Sequence, residues 1–77
     1  MTKTEATAAR DAAFTTYRAA VDAVAIAPTT RKRNAAQRVA DEAHRAYTFA
    51  LADVERAVRA EMPGATEADV MAAAAAA

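Results

Sequence analysis

The sequence is short of the residues that carry covalent or catalytic chemistry. Among 77 residues it has no cysteine, no serine and no tryptophan, and only one histidine and one glycine. The lack of cysteine excludes a disulfide-stapled secreted module and fits a reducing compartment. The lack of serine, cysteine and glycine-rich segments leaves no nucleophile with a matching base and no phosphate-binding loop. We therefore predict no catalytic residues, no cofactor and no small-molecule substrate.

Long hydrophobic runs and a surplus of one charge sign are also missing. Residues 1–5 lack the apolar segment of a signal peptide, and no apolar stretch reaches the roughly 18 residues of a membrane span. Ten basic and ten acidic residues give a net charge of zero. This balance argues against general attraction to nucleic acid or to membrane surfaces. We expect a cytoplasmic protein, or a component of a particle assembled in the cytoplasm, without membrane contact.

Large apolar side chains are scarce, whereas alanine fills 27 positions. Only 15 residues belong to the other apolar types, namely Val, Ile, Leu, Met, Phe and Tyr. A domain of this size buries only about 60% of the surface that its unfolded chain exposes. With so few large side chains, we expect the chain to need a protein partner or copies of itself.

Three breakers, Pro28, Pro63 and Gly64, divide the chain into helix-forming segments. The pattern predicts an all-α fold in one small domain, an antiparallel helical hairpin with a short C-terminal third helix. We place the helices at about residues 3–26, 35–61 and 66–77, with a loop over 27–34 and a turn over 62–65. The six-alanine terminus is given no functional weight.

Capping patterns support these boundaries. Thr2-x-x-Glu5 predicts a capping box at the start of the first helix. Asn34-x-x-Gln37 predicts a second one, with Thr29 or Thr30 as the competing start of the second helix.

Both long segments carry a heptad seam and, beside it, alanines with a period of seven. The seams are Phe14, Tyr17, Val21 and Val24 in the first segment and Tyr47, Leu51, Val54 and Val58 in the second. The alanine ladders are Ala6, Ala13, Ala20 and Ala27, and Ala36, Ala43, Ala50 and Ala57. Methyl groups at such positions let two antiparallel helices approach closely, which is typical of an alanine-ladder coiled coil. With Asn34 as the cap of the second helix, the predicted register sets Tyr17 opposite His44 and Phe14 opposite Tyr47.

Apolar residues that point away from the seam are candidates for partner binding. Phe49 lies about 200° from Tyr47 around the helix, and Ile26 lies about 180° from Tyr17. Aromatic side chains and arginines are typical of interface anchors. We also include Val70 and Met71, because the third helix could pack on its own hairpin or on a neighbour. The complete predicted partner surface is Phe49, Ile26, Arg38, Arg45, Arg56, Val70 and Met71.

A basic cluster, Arg31, Lys32 and Arg33, supports an alternative function. In the first turn of a helix, cations are disfavoured by the macrodipole, so a functional contact with phosphate or an acidic partner is one interpretation. The simpler interpretation is a solvated loop. Nucleic acid is a possible but less favoured partner.

Asp41-x-x-His44 supports a remote hypothesis of metal binding. A carboxylate and a histidine with this spacing share one helix face, as in di-iron bundles, and a dimer would supply two copies. The simpler interpretation is favoured, in which His44 is a half-buried histidine bonded to Tyr17 or to backbone, and Asp41 pairs with Arg45.

Together these patterns predict a non-enzymatic structural or adaptor subunit that packs through helix–helix contacts into an oligomer or larger assembly. A minor component of a phage or other particle is one concrete version. A nucleic-acid-associated or regulatory module is the alternative, and a dimeric metal-binding bundle is the remote one.

Overall fold

The computed structural model describes all residues from Met1 to Ala77 and contains three helices and no strand. Helix α1 spans Lys3–Ile26, α2 spans Thr30–Glu61 and α3 spans Glu67–Ala76. Helices α1 and α2 pack against each other as an antiparallel hairpin, and α3 folds back onto the open end of that hairpin. The predicted fold class, an all-α hairpin with a short third helix, is confirmed.

The start of α1 is the predicted capping box. The Thr2 hydroxyl accepts the Glu5 backbone amide at 3.1 Å, and the Glu5 carboxylate accepts the Thr2 amide at 3.3 Å. The helix ends at Ile26 because Ala27 precedes Pro28 and is extended, with ψ 126°.

The predicted start of α2 at residue 35 is wrong, because the competing cap at Thr29 is used. Thr29 is extended, and its hydroxyl accepts the Lys32 amide at 3.2 Å. Asn34 lies inside the helix with an exposed side chain. The first suitable cap after Pro28 therefore starts the helix, and the loop shrinks from residues 27–34 to residues 27–29.

The pairing register of the hairpin is nevertheless the predicted one. The rings of Phe14 and Tyr47 are 5.4 Å apart between centroids, and those of Tyr17 and His44 are 5.2 Å apart. Because these pairs set the register, the first turn of α2 projects past the end of α1 without shifting the seam.

Alanine forms most of the core. Nine residues are buried, of which six are alanine and three are Val54, Val58 and Val70. All eight positions of the alanine ladders are buried or half-buried. Methyl groups fill the space between two closely spaced backbones, whereas the larger valines fill the wider junction beneath α3.

Helix α3 packs on its own hairpin, which settles a question that the sequence left open. Val70 and Ala74 form a buried cluster with Ala6, Val54 and Val58. Val70 is only 1% exposed, so its predicted role in a partner surface is wrong. The chain reverses at Pro63-Gly64, where Gly64 has φ +85°, a conformation that favours glycine.

The folded chain is elongated. Its extents are 52 × 21 × 16 Å and its radius of gyration is 15.6 Å. A compact domain of 77 residues is expected to have a radius of gyration of about 11.5 Å. The difference arises because a two-helix layer is only partly covered by a third helix.

Candidate functional site

Seam side chains of α1 and α2 meet on one side of the hairpin and leave a partly exposed apolar surface there. We call the part of it that α3 does not cover the hairpin groove. It is formed by Phe14, Tyr17, Val21, His44, Tyr47 and Leu51. The rings of Tyr17 and Tyr47 stack with centroids 6.1 Å apart. The large seam residues are incompletely covered, since Phe14 is 43%, Val21 41% and Leu51 37% exposed.

The hairpin groove continues beyond the part of the hairpin that α3 covers. At 1.5 Å per residue, the 10 residues of α3 span about 15 Å, whereas the 24 residues of α1 span about 36 Å. Helix α3 covers Ala6 and Val58 at the open end of the hairpin, and its C-terminal end reaches Arg10. The groove is therefore a third-helix position that is filled at one end only.

A cleft of about 350 Å³ lies where the tail of α3 meets the hairpin groove. Its lining is Arg10, Tyr47, Leu51, Val54, Glu55, Met71, Ala74 and Ala75. Most of these residues are apolar, and Met71 is 49% exposed. A shallow apolar cleft that continues into an exposed groove offers packing area for a side chain or helix rather than an enclosed site for a reaction.

Arg10 connects α1 to the end of α3. Its guanidinium donates to the carbonyl oxygens of Ala74 at 3.2 Å and Ala77 at 2.7 Å, and to the Asp11 carboxylate at 3.1 Å. The side chain is only 16% exposed. A cation placed at the C-terminal end of a helix stabilises carbonyls that lack helical partners.

Sequence reasoning missed Arg10, although a signal was present. Lys3, Arg10, Tyr17 and Val24 follow one another at intervals of seven, so Arg10 occupies a seam position. A cation at a seam position indicates a polar group nearby. The identity of that group, the end of α3, depends on how α3 folds back.

The predicted partner residues other than Val70 are exposed but scattered. Phe49 is 66% and Ile26 81% exposed. Each points away from the seam on its own helix, so the structure does not bring the two together. Arg56 pairs with Asp53 at 2.7 Å. Arg38 and Arg45 are exposed on the outer side of α2.

Arg31, Lys32 and Arg33 lie in the first turn of α2, which contains no acidic residue. All three are exposed, and none forms an ion pair with a carboxylate. The three cations therefore sit at the positive end of the helix macrodipole, an arrangement that costs stability.

Asp41 and His44 are both exposed on α2. The Asp41 carboxylate accepts the Gln37 side-chain amide at 2.9 Å and does not pair with Arg45. His44 contacts the edge of Tyr17 through its ring, so the predicted hydrogen bond is wrong. No three His, Cys, Asp or Glu side chains converge anywhere in the chain.

Comparison of the chain with protein-family models, with curated proteins and with solved structures gives no match. None of the three helices is both long enough and apolar enough to cross a membrane.

Proposed function

We propose that the chain is a non-enzymatic structural or adaptor subunit that packs through helix–helix contacts into an oligomer or larger assembly, within the cytoplasm or a particle assembled there. The observation that carries this proposal is the hairpin groove, an apolar third-helix position that α3 fills at one end only. A phage or other particle component remains one concrete version of it.

The exposed area of the chain supports the proposal. A folded monomer of 8.0 kDa is expected to expose about 4,450 Å². This chain exposes 5382 Å². The excess of roughly 900 Å² is close to the ~800 Å² that each partner buries in a standard protein–protein interface.

The native mass in solution tests the proposal directly. We expect sedimentation at micromolar concentration to give a species heavier than the 8.0 kDa chain. Val21→Glu should shift this species toward the monomer, because a charge would then be buried without a partner in the groove. Ala19→Glu, on the opposite side of α1, is the matched control and should leave the mass unchanged. A well-folded monomer at micromolar concentration would contradict the proposal.

The second candidate is a nucleic-acid-associated or regulatory module. It is favoured by the three unpaired cations in the first turn of α2. Binding through Arg31, Lys32 and Arg33 should weaken steeply with salt, with a slope of about −0.9 per phosphate contacted on duplex DNA. If the protein does not bind to immobilised DNA or RNA at low salt, this candidate function is excluded. A charge reversal, Arg31→Glu, should weaken such binding and leave the native mass unchanged.

A further inference from the structure

The side of α2 that faces away from its seam carries a line of arginines. Arg31, Arg38 and Arg45 follow one another at intervals of seven, and we call these three residues the arginine row. At 100° per residue they lie within about 40° of one another around the helix, and Arg38 lies about 180° from Tyr47. All three arginines are exposed. They therefore form a basic line about 21 Å long on the outer surface of the hairpin.

The cations of the arginine row are not neutralised within the chain. None of them forms an ion pair with a carboxylate. Glu42 lies one helical turn from both Arg38 and Arg45, yet its carboxylate pairs with neither. By contrast, Arg56 and Arg59 in the second half of α2 each pair with a carboxylate. The row is therefore the part of α2 where positive charge is available to a partner.

Charge is distributed unevenly along α2, although the whole chain is neutral. Residues 30–45 carry five basic and two acidic side chains, whereas residues 46–61 carry two basic and three acidic ones. Duplex nucleic acid carries one negative charge for about every 1.7 Å of its length. A duplex lying along α2 would attract the arginine row but would meet the carboxylates of the second half. The charge pattern therefore favours an anionic partner of limited length over a long polyanion.

A large apolar side chain continues the arginine row. Phe49 lies four residues beyond Arg45, within about 40° of it around the helix. Phe49 is 66% exposed, and the residues three positions before and after it are the alanines Ala46 and Ala52. An exposed aromatic ring beside arginines is typical of an anchor in a protein–protein interface. A phosphate backbone offers no apolar contact to such a ring, so Phe49 also favours a protein partner.

We infer that the outer face of α2 binds an acidic amphipathic helix of a different protein, with carboxylates on the arginine row and an apolar side chain on Phe49. Residues at intervals of seven lie on one line along two helices that wind around each other, so a helix beside α2 meets every member of the row. No two carboxylates of this chain are seven residues apart, so a second copy does not supply the matching line. The inference goes beyond the proposed function, because the hairpin groove lies on another side of α2.

Two designed helical peptides test the inference. The acidic-row peptide carries three glutamates at intervals of seven and a leucine placed to meet Phe49, whereas the scrambled peptide has the same composition with its glutamates on different sides. Fluorescence anisotropy at low salt should show that the acidic-row peptide binds roughly tenfold more tightly, because each exposed ion pair contributes a factor of roughly two to five. This preference should shrink at high salt, which screens exposed charges.

Substitutions in the protein locate the contact. Arg38→Glu should weaken binding of the acidic-row peptide by roughly fivefold or more, since it replaces an attraction with a repulsion. A peptide with lysine in place of the glutamate that faces residue 38 should restore the binding of this variant. Phe49→Ala should also weaken binding by roughly fivefold or more. Arg18→Glu is the matched control, because Arg18 is an exposed and unpaired arginine on α1, and it should change binding little. Circular dichroism should show retained helix in every variant, since all these positions are exposed.

Three results overturn the inference. They are equal binding of the two peptides, equal effects of Arg38→Glu and Arg18→Glu, and tighter binding of a short DNA duplex than of the acidic-row peptide with loss of the duplex in Arg38→Glu. The last result would assign the arginine row to nucleic acid. The proposed assembly through the hairpin groove is judged by the native mass and by Val21→Glu, so the two proposals can fail separately.

Discussion

At the scale of single residues, Arg10 forms hydrogen bonds to α3 that its position in the sequence does not predict. It joins the first helix to the last one by donating to the carbonyl oxygens of Ala74 and Ala77, and the Ala74 carbonyl also accepts the backbone amide of Ala77. Its side chain is largely covered, so these charge-assisted hydrogen bonds are screened less than those of the surface ion pairs.

We predict that Arg10→Met lowers the free energy of unfolding by about 1–2 kcal/mol, because two carbonyl groups lose a charged donor while the apolar stem is kept. Urea denaturation followed by circular dichroism measures the change. Arg18→Met is the matched control on the same helix, where an exposed arginine has no bonded partner, and should change the value by less than about 0.5 kcal/mol. Equal effects of the two substitutions would contradict the role of Arg10.

The pKa of the Glu5 carboxyl provides a second test at this scale. Hydrogen bonds from Thr2, first from its side chain and then from its backbone, lower this pKa below its ordinary value of 4.5. A depressed pKa in the folded state means that the capping box stabilises α1 above pH 4.5 and loses this effect as the pH falls through the folded pKa. NMR titration should show a lowered pKa for Glu5, and Thr2→Ala should return it toward 4.5.

At the scale of elements, the alanine ladders set the distance between α1 and α2. Ala20, Ala40 and Ala43 form one buried cluster, with Tyr17 and Val24 packed against it. The helices approach closely because no side chain larger than a methyl group stands between their backbones at these positions.

We predict that Ala43→Leu destabilises the hairpin by about 1–3 kcal/mol, because the larger side chain forces the helices apart. Thermal unfolding measures the loss as a lower Tm. Ala46→Leu, at an exposed position of the same helix, is the control and should leave Tm nearly unchanged. An unchanged Tm of the Ala43→Leu variant would contradict the role of the alanine ladders in setting the distance between the two helices.

At the same scale, the backbone conformation of Gly64 allows the chain to turn from α2 into α3. Gly64 has φ +85°, and a Cβ atom there would meet nothing within 4 Å. A side chain at this position therefore costs free energy through backbone strain and not through contact with neighbouring atoms.

We predict that Gly64→Ala costs about 1 kcal/mol, and that Gly64→Asn costs less because asparagine tolerates the left-handed conformation. Urea denaturation of the two variants separates backbone strain, which asparagine relieves, from steric clash, which the larger asparagine would increase. Similar costs for Ala and Asn would contradict this explanation.

At the scale of the whole molecule, two surfaces compete as partner sites. The sequence favours Phe49 and its neighbouring arginines, whereas the structure adds the hairpin groove on the other side of α2. Phe49 is more exposed, whereas the groove adjoins the cleft at the end of α3 through Tyr47 and Leu51.

We predict that Val21→Glu weakens self-association strongly, whereas Phe49→Asp weakens it little, because Phe49 lies away from the hairpin groove. Sedimentation of both variants over a range of concentrations distinguishes the surfaces. If Phe49→Asp alone yields monomers, the outer face of α2 is the assembly surface and the groove is not.

Much of this fold follows from the sequence alone. The breakers at Pro28 and Pro63, the capping residues and the period-seven alanines predict three helices and an antiparallel hairpin, because helix ends and packing faces depend on residues that are close in the sequence. The sequence misplaces the start of α2, because Thr29 and Asn34 are both suitable N-caps and local patterns alone do not choose between them.

Only the tertiary structure decides where α3 lies and which apolar residues stay uncovered. Val70 and Met71 are adjacent in the sequence, yet Val70 is buried against α2 while Met71 lines an open cleft. Their difference depends on the path of the chain after Gly64, which decides the face of α3 that meets the hairpin.

The shortage of large side chains determines that little area can be buried. Only the fold decides which apolar residues stay exposed, because exposure depends on which helix faces meet: Phe14, Val21 and Leu51 stay partly exposed on one side of the hairpin, whereas Phe49 and Ile26 lie elsewhere.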